Sequence, residues 1–220
     1  MNLILFILIF FYLSNWFQIV TFLSLLIGPK MKTHTVDDTW IKSVTKKKSG
    51  LTLLDITIFE DKKPYGMMAG LPFWPKMILS EVLYESFNRD ELEWVILHEA
   101  GHCVFWHNLQ AFLLEMLMVS LGVYAIHLFS LSLMLSLLLA IFLSIVSIQI
   151  IRWTIEYSAD QYSINRVDNP KGVITAQDKF RNAYGEKGVM RYLFHWNIPL
   201  QKRIEMANQR IKALIYENSI

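Results

Sequence analysis

From residue 111 to residue 151 the chain carries no acidic or basic side chain except Glu115 near the start and His127 near the middle. Few folds can hold such a tract. In a bilayer each backbone N–H and C=O must be satisfied within the protein, so a spanning segment of this kind has to be helical. About 20 apolar residues cross the hydrocarbon, so the tract has the length for two helices. The bend between them falls at Gly122 or in the stretch 127–132. One continuous helix would overrun the bilayer. A second apolar tract, residues 3–27, is interrupted mainly by Asn15 and Gln18 and suits a single span. It has no basic start and no small-residue cleavage site, so it reads as a retained anchor and not as a signal peptide. Glu115 and His127 read as residues near the membrane boundaries, Glu115 at the inner edge and His127 near the outer turn.

The long tract is flanked by two short polar motifs. Before it stands His98-Glu99-Ala100-Gly101-His102. On a helix, residues four apart share a face, so His98 and His102 can bind one metal ion together. Glu99 lies beside them, within reach of a water held there. The helical setting follows from Asn88-Arg89-Asp90-Glu91, where Asn88 suits an N-cap and Glu91 completes a capping box. Gly101 is costly inside a helix, by about 1 kcal/mol relative to Ala. Its presence predicts close approach of a neighbouring backbone or of substrate.

After the tract stands Glu156-Tyr157-Ser158-Ala159-Asp160, with two acids again four apart. Catalytic zinc usually takes three protein ligands, and two histidines with a glutamate are a standard set. Glu156 is therefore the expected third ligand. Asp160 is placed to accept a hydrogen bond from a ligand imidazole and fix its tautomer. His107 is a poorer third ligand, since its spacing lacks the glycine elbow of proteases that use three histidines. Cys103 is the only cysteine, which excludes an intrachain disulfide and fits a reducing compartment. It reads as a small packing residue.

HEAGH at 98–102 and EYSAD at 156–160, with the acidic lead-in Asn88-Arg89-Asp90-Glu91-Leu92 and the tail Pro199-Leu200-Gln201-Lys202-Arg203-Ile204, resemble the HtpX-like zinc metallopeptidases, relatives of the CaaX prenyl proteases. The resemblance runs from about residue 51 to residue 204. It implies a gluzincin fold, peptide-bond hydrolysis and a substrate-binding edge strand before the zinc helix. It also implies a late histidine that stabilises the transition state. His195 is the expected residue, supported by Arg203. Counting back from Arg203 puts that position at Asn197 instead, and Tyr192 is a further donor.

The expected fold class is an α+β membrane protein: a mainly helical zincin-like catalytic domain with a small sheet, and about three transmembrane helices. Residues 1–28 form the anchor and 29–110 the first part of the catalytic domain. Residues 111–151 form the transmembrane hairpin and 152–220 the second catalytic part. Asp55-Ile56-Thr57-Ile58 alternates as a strand does, 61–66 reads as a turn, and 67–69 and 74–80 suit two more strands. Asp168-Asn169-Pro170-Lys171-Gly172 breaks the helix that carries EYSAD, and about two further helices follow.

Lys30, Lys32, Lys42, Lys46, Lys47 and Lys48 follow the first tract, and Arg152 follows the second. By the positive-inside rule the catalytic parts face the cytoplasm of a multi-pass cell-membrane protein. The net charge of +2 is too small to suggest nucleic acid. The expected partners are protein or peptide substrates and the lipid bilayer, with one Zn2+ per chain as cofactor. The function these features point to is a zinc-dependent endopeptidase in membrane-protein quality control, with His98, His102 and Glu156 on the metal and Glu99 as the base. Alternatives are an intramembrane site-two-type protease, a sensor-type metalloprotease, and an inactive membrane scaffold of the same fold. Intact Glu99 argues against the last.

Overall fold

The computed structural model describes residues 2–14, 32–184 and 200–217. In chain order they form α1 (Asn2–Ser14), β1 (Thr33–Val36), α2 (Thr39–Ser49), β2 (Ile56–Phe59), β3 (Gly66–Ala69), β4 (Lys76–Ser80), α3 (Glu81–Ser86), α4 (Arg89–Val104), α5 (His107–Phe129), α6 (Leu133–Ile164), α7 (Lys171–Tyr184) and α8 (Leu200–Glu217). The chain divides into two compact units. One comprises Met1–Lys30 and Asn108–Thr154, the other Met31–His107 and Ile155–Ile220. One division point falls after the first residue of α5 and another inside α6.

The second unit is mostly helical with a small mixed sheet of order β1-β2-β4-β3. β2 runs antiparallel to β1 and parallel to β4, and β3 runs antiparallel to β4. Strands β2, β3 and β4 lie where alternation and turn residues place them. β1 was not legible. Its Thr-His-Thr-Val sequence is largely exposed and owes its conformation to pairing with β2.

Helix α4 begins as its sequence dictates. Glu91 N–H donates to Asn88 Oδ1 at 3.0 Å, and Asn88 N–H donates to Glu91 Oε2 at 2.8 Å, a complete capping box. Most of its length is buried. Leu92, Trp94, Val95, Ile96 and Leu97 share a core with Ile56, Ile58, Met77 and Leu79 of the sheet and with Val173 and Ala176 of α7. A helix buried on most sides needs partners for its charges. Lys179 meets Glu91 at 2.6 Å, and Lys48 meets Glu93 at 2.5 Å and Asp168 at 2.7 Å. Lys48 is thus a structural cation, beyond any part in membrane orientation. Gly172 lets α7 close on this helix: a Cβ there would stand 2.6 Å from the Asp90 carbonyl carbon.

In the first unit, α5 and α6 are long and apolar enough to cross a membrane. Residues 130–132 join them, with Ser130 at φ 46, so the bend takes the later of its two expected places. Gly122 stays helical, and a Cβ there would run into the Phe6 ring of α1. Phe6, Phe10, Ile126 and Ala140 form the core of this unit. Of the expected anchor, residue 1 and residues 15–28 lie outside the described residues.

Candidate active site

Three facts about the chain bring the two polar motifs together. His98 and His102 share a face of α4, Glu156 and Asp160 share a face of the last turns of α6, and the two helices pack unusually closely. The close packing explains Gly101. A Cβ on it would lie 3.3 Å from the Ala159 Cα and 3.2 Å from the Tyr162 ring. Of the two reasons expected for this glycine, a neighbouring backbone is the one present.

The result is a convergent donor set. His98 Nε2 and His102 Nε2 are 3.2 Å apart. Glu156 Oε2 is 3.6 Å from the first, and Glu156 Oε1 is 3.7 Å from the second. Ligand atoms of the three residues all fall within 4.8 Å of one another. Donors held about 2.0–2.1 Å from a tetrahedral zinc stand roughly 3.3 Å from each other, so this spacing and this nitrogen–oxygen set fit zinc.

The other imidazole nitrogen of each histidine is also engaged. His98 Nδ1 lies 2.8 Å from Asp160 Oδ1. Arg203, buried on α8, donates from Nε to Asp160 Oδ2 at 2.5 Å and from Nη2 to Glu156 Oε2 at 3.3 Å. The sequence assigned Arg203 to the support of His195; the structure places its guanidinium on the two acids of α6. His102 Nδ1 lies 2.9 Å from His107 Nδ1. Its spacing makes His107 a poor third ligand, and it lies behind His102.

Electrostatics differ along the motif. Burial alone would lower the His98 pKa, but the Asp160 and Glu156 carboxylates outweigh it and push it up to about 10. A proton and a metal ion compete for such a nitrogen. Burial and the charge on His98 hold His102 down at about 3, so it stays neutral. Removal from bulk water pushes Glu99 up to about 7, against the opposing pull of His98. Its carboxylate also takes a backbone hydrogen bond from Met68 of β3. Glu99 therefore sits between the histidines and a strand at the edge of the sheet. His195, Asn197 and Tyr192 lie outside the described residues.

A model of "Peptidase family M48" matches residues 35–210. No curated protein matches the chain. Among solved structures, the crystal structure of S. mikatae Ste24p matches with a TM-score of 0.59 at 19% sequence identity, over 94% of this chain. The match takes in 61% of the Ste24p chain, so this protein spans less than two thirds of that length. At such identity the likeness speaks for the fold. The family match takes in HEAGH, EYSAD and Arg203 alike, and the resemblance to HtpX-like zinc metallopeptidases stands: the chain belongs to peptidase family M48.

Proposed function

We propose that this protein is a multi-pass membrane zinc endopeptidase that cleaves damaged or misassembled membrane proteins on the cytoplasmic side. The observation that carries the reading is the convergence of His98 Nε2, His102 Nε2 and Glu156 on one point, with Glu99 beside it. The lysines before and within α2 support the cytoplasmic orientation. The polar, capped start of α4 favours this reading over an intramembrane protease.

His98, His102 and Glu156 would hold zinc, and Asp160 orients His98 through Nδ1. Zinc in such a site supplies Lewis-acid polarisation of a carbonyl and lowers the pKa of water. Glu99 takes a proton from the attacking water on its carboxylate and delivers it to the leaving nitrogen. A carboxylate whose pKa has been raised toward 7 is suited to both halves of that task. An extended substrate would add to the outer edge of β3, the last strand of the described sheet, by main-chain hydrogen bonds, passing Glu99 at Met68. Arg203 fixes Glu156 and Asp160 relative to each other. His195 is the proposed donor to the developing oxyanion, with Asn197 as the alternative position.

Metal analysis and proteolysis of the purified protein test this together. Wild type should hold about one zinc per chain. His98→Ala and Glu156→Ala should lose it, and Glu99→Gln should keep it while proteolysis falls by about 10²–10⁴-fold. Zinc retained in both ligand variants, or wild-type cleavage by Glu99→Gln, sinks the reading.

A further inference from the structure

We propose that His107 and Ser158 form a relay of hydrogen bonds that fixes the tautomer of His102 and so tunes its hold on zinc. The inference rests on the zinc-peptidase reading above. His107 is buried and begins α5. Its Nδ1 is 2.9 Å from His102 Nδ1, and its Nε2 is 3.0 Å from Ser158 Oγ. Ser158 Oγ in turn donates to the Ile155 carbonyl at 2.9 Å.

Proton positions follow from the far end of this chain. A serine hydroxyl has one proton, and Ile155 O takes it because a carbonyl can only accept. Ser158 Oγ can then only accept from His107, so His107 carries its proton on Nε2. Its Nδ1 is left as an acceptor, and among the described residues the group it meets is His102 Nδ1, which must therefore carry a proton. That leaves the lone pair of His102 on Nε2, the nitrogen that faces His98 Nε2 and Glu156. Each donor meets an acceptor in this arrangement, and the arrangement selects the tautomer of His102 that can ligate.

The backbone is shaped to make this contact. Trp106, just before His107, has φ 55, a left-handed conformation that a bulky residue rarely adopts. The reversal between α4 and α5 follows Phe105 N–H donating to Gly101 O at 3.0 Å and Trp106 N–H donating to Cys103 O at 3.1 Å. It returns His107 to the underside of His102, with ring centroids 4.9 Å apart. The two ligand histidines are thus backed differently: His98 by the carboxylate of Asp160, His102 by a neutral imidazole. Ser158 acquires a role inside EYSAD, where only the two acids had one.

The test is zinc affinity of the full-length protein in detergent, measured by competition with a chromogenic chelator. His107→Ala and His107→Phe should weaken binding by about 10–100-fold. His107→Gln, whose amide keeps an acceptor and a donor, should restore most of the loss. Ser158→Ala, a near-isosteric change, should weaken binding less and add little to His107→Ala. The cobalt(II)-loaded protein should show a shifted visible spectrum in His107→Ala and a near wild-type one in His107→Gln. Wild-type affinity in His107→Ala, His107→Phe and Ser158→Ala would overturn the relay, as would a His107→Gln variant as weak as His107→Ala. Wild-type protein that binds no zinc would overturn the peptidase reading itself.

Discussion

The two units of this protein solve the same packing problem in opposite ways. In the unit of α1, α5 and most of α6, large apolar side chains face outward: Met134 is 72% exposed and Phe129 68%. Small residues lie inside, with Ser136, Ala140 and Ser144 four apart on α6 and all buried. Helices surrounded by lipid gain nothing by hiding leucines from each other, so close contact through small residues and serine hydroxyls holds them together. In the catalytic unit the order is reversed. Leucines, isoleucines and Trp94 are buried against the sheet, and the charges that enter the interior do so in pairs: Glu93 with Lys48, Glu91 with Lys179, Asp160 with Arg203. On the proposed membrane location, one chain is thus built for two solvents. What stabilises one half, burial of apolar area, is nearly worthless in the other.

The comparison can be broken by perturbations that ought to touch one unit alone. Metal removal should have the largest effect. Dialysis against a chelator should abolish proteolysis and remove about 4 kcal/mol from the catalytic unit, the contribution expected when free zinc exceeds Kd by about 1,000-fold. Circular dichroism in detergent should show the apolar helices unchanged; their collapse would mean that the two units share one stability. Next comes Arg203→Met, which leaves Asp160 and Glu156 without their shared cation. Removing one partner of a buried pair costs about 3 kcal/mol or more, so the first thermal transition should fall by several degrees. A neutral result would mean that the acids are not charged together in the fold. Gly172→Ala forces a methyl into the Asp90 backbone and should cost about 1–3 kcal/mol in the same transition. Smallest is Ser144→Ala. Its hydroxyl donates to Ala140 O at 2.7 Å, with Phe10 O 3.4 Å away, and bonds of this kind within a membrane average about 0.6 kcal/mol. A larger loss would show that the apolar unit relies on polar contacts more than its composition suggests.

What could be read ahead of the structure was whatever is written locally. The capping box at Asn88 and Glu91 needs four consecutive residues, and the shared faces of HEAGH and EYSAD need five each. A break near Asn169-Pro170 needs only those residues, although the helix ends earlier than residue 168, at Ile164, and the next one already begins at Lys171. Side chains that find their partners across the fold were not legible. Lys48 reads as one more lysine in a basic run until α2 sets it against Glu93 and Asp168. Arg203 lies far along the chain from both acids it binds. His107 defeats spacing arguments for a different reason. The rule for helical neighbours fails once the chain leaves the helix at Phe105 and turns through Trp106, so five residues from His102 is no guide to distance.

The pocket also has a history in time. His98, Glu99 and His102 precede the apolar tract and Glu156 follows it, so a ribosome makes the first part of the site well before the last. Until α6 has been synthesised to its final turns, the chain has two imidazoles and a base but no third ligand and no Asp160 behind His98. On the proposed function, a peptidase assembled in that order cannot act before its own insertion is complete. On that reading, the apolar tract between the motifs sets the interval before the site can be complete.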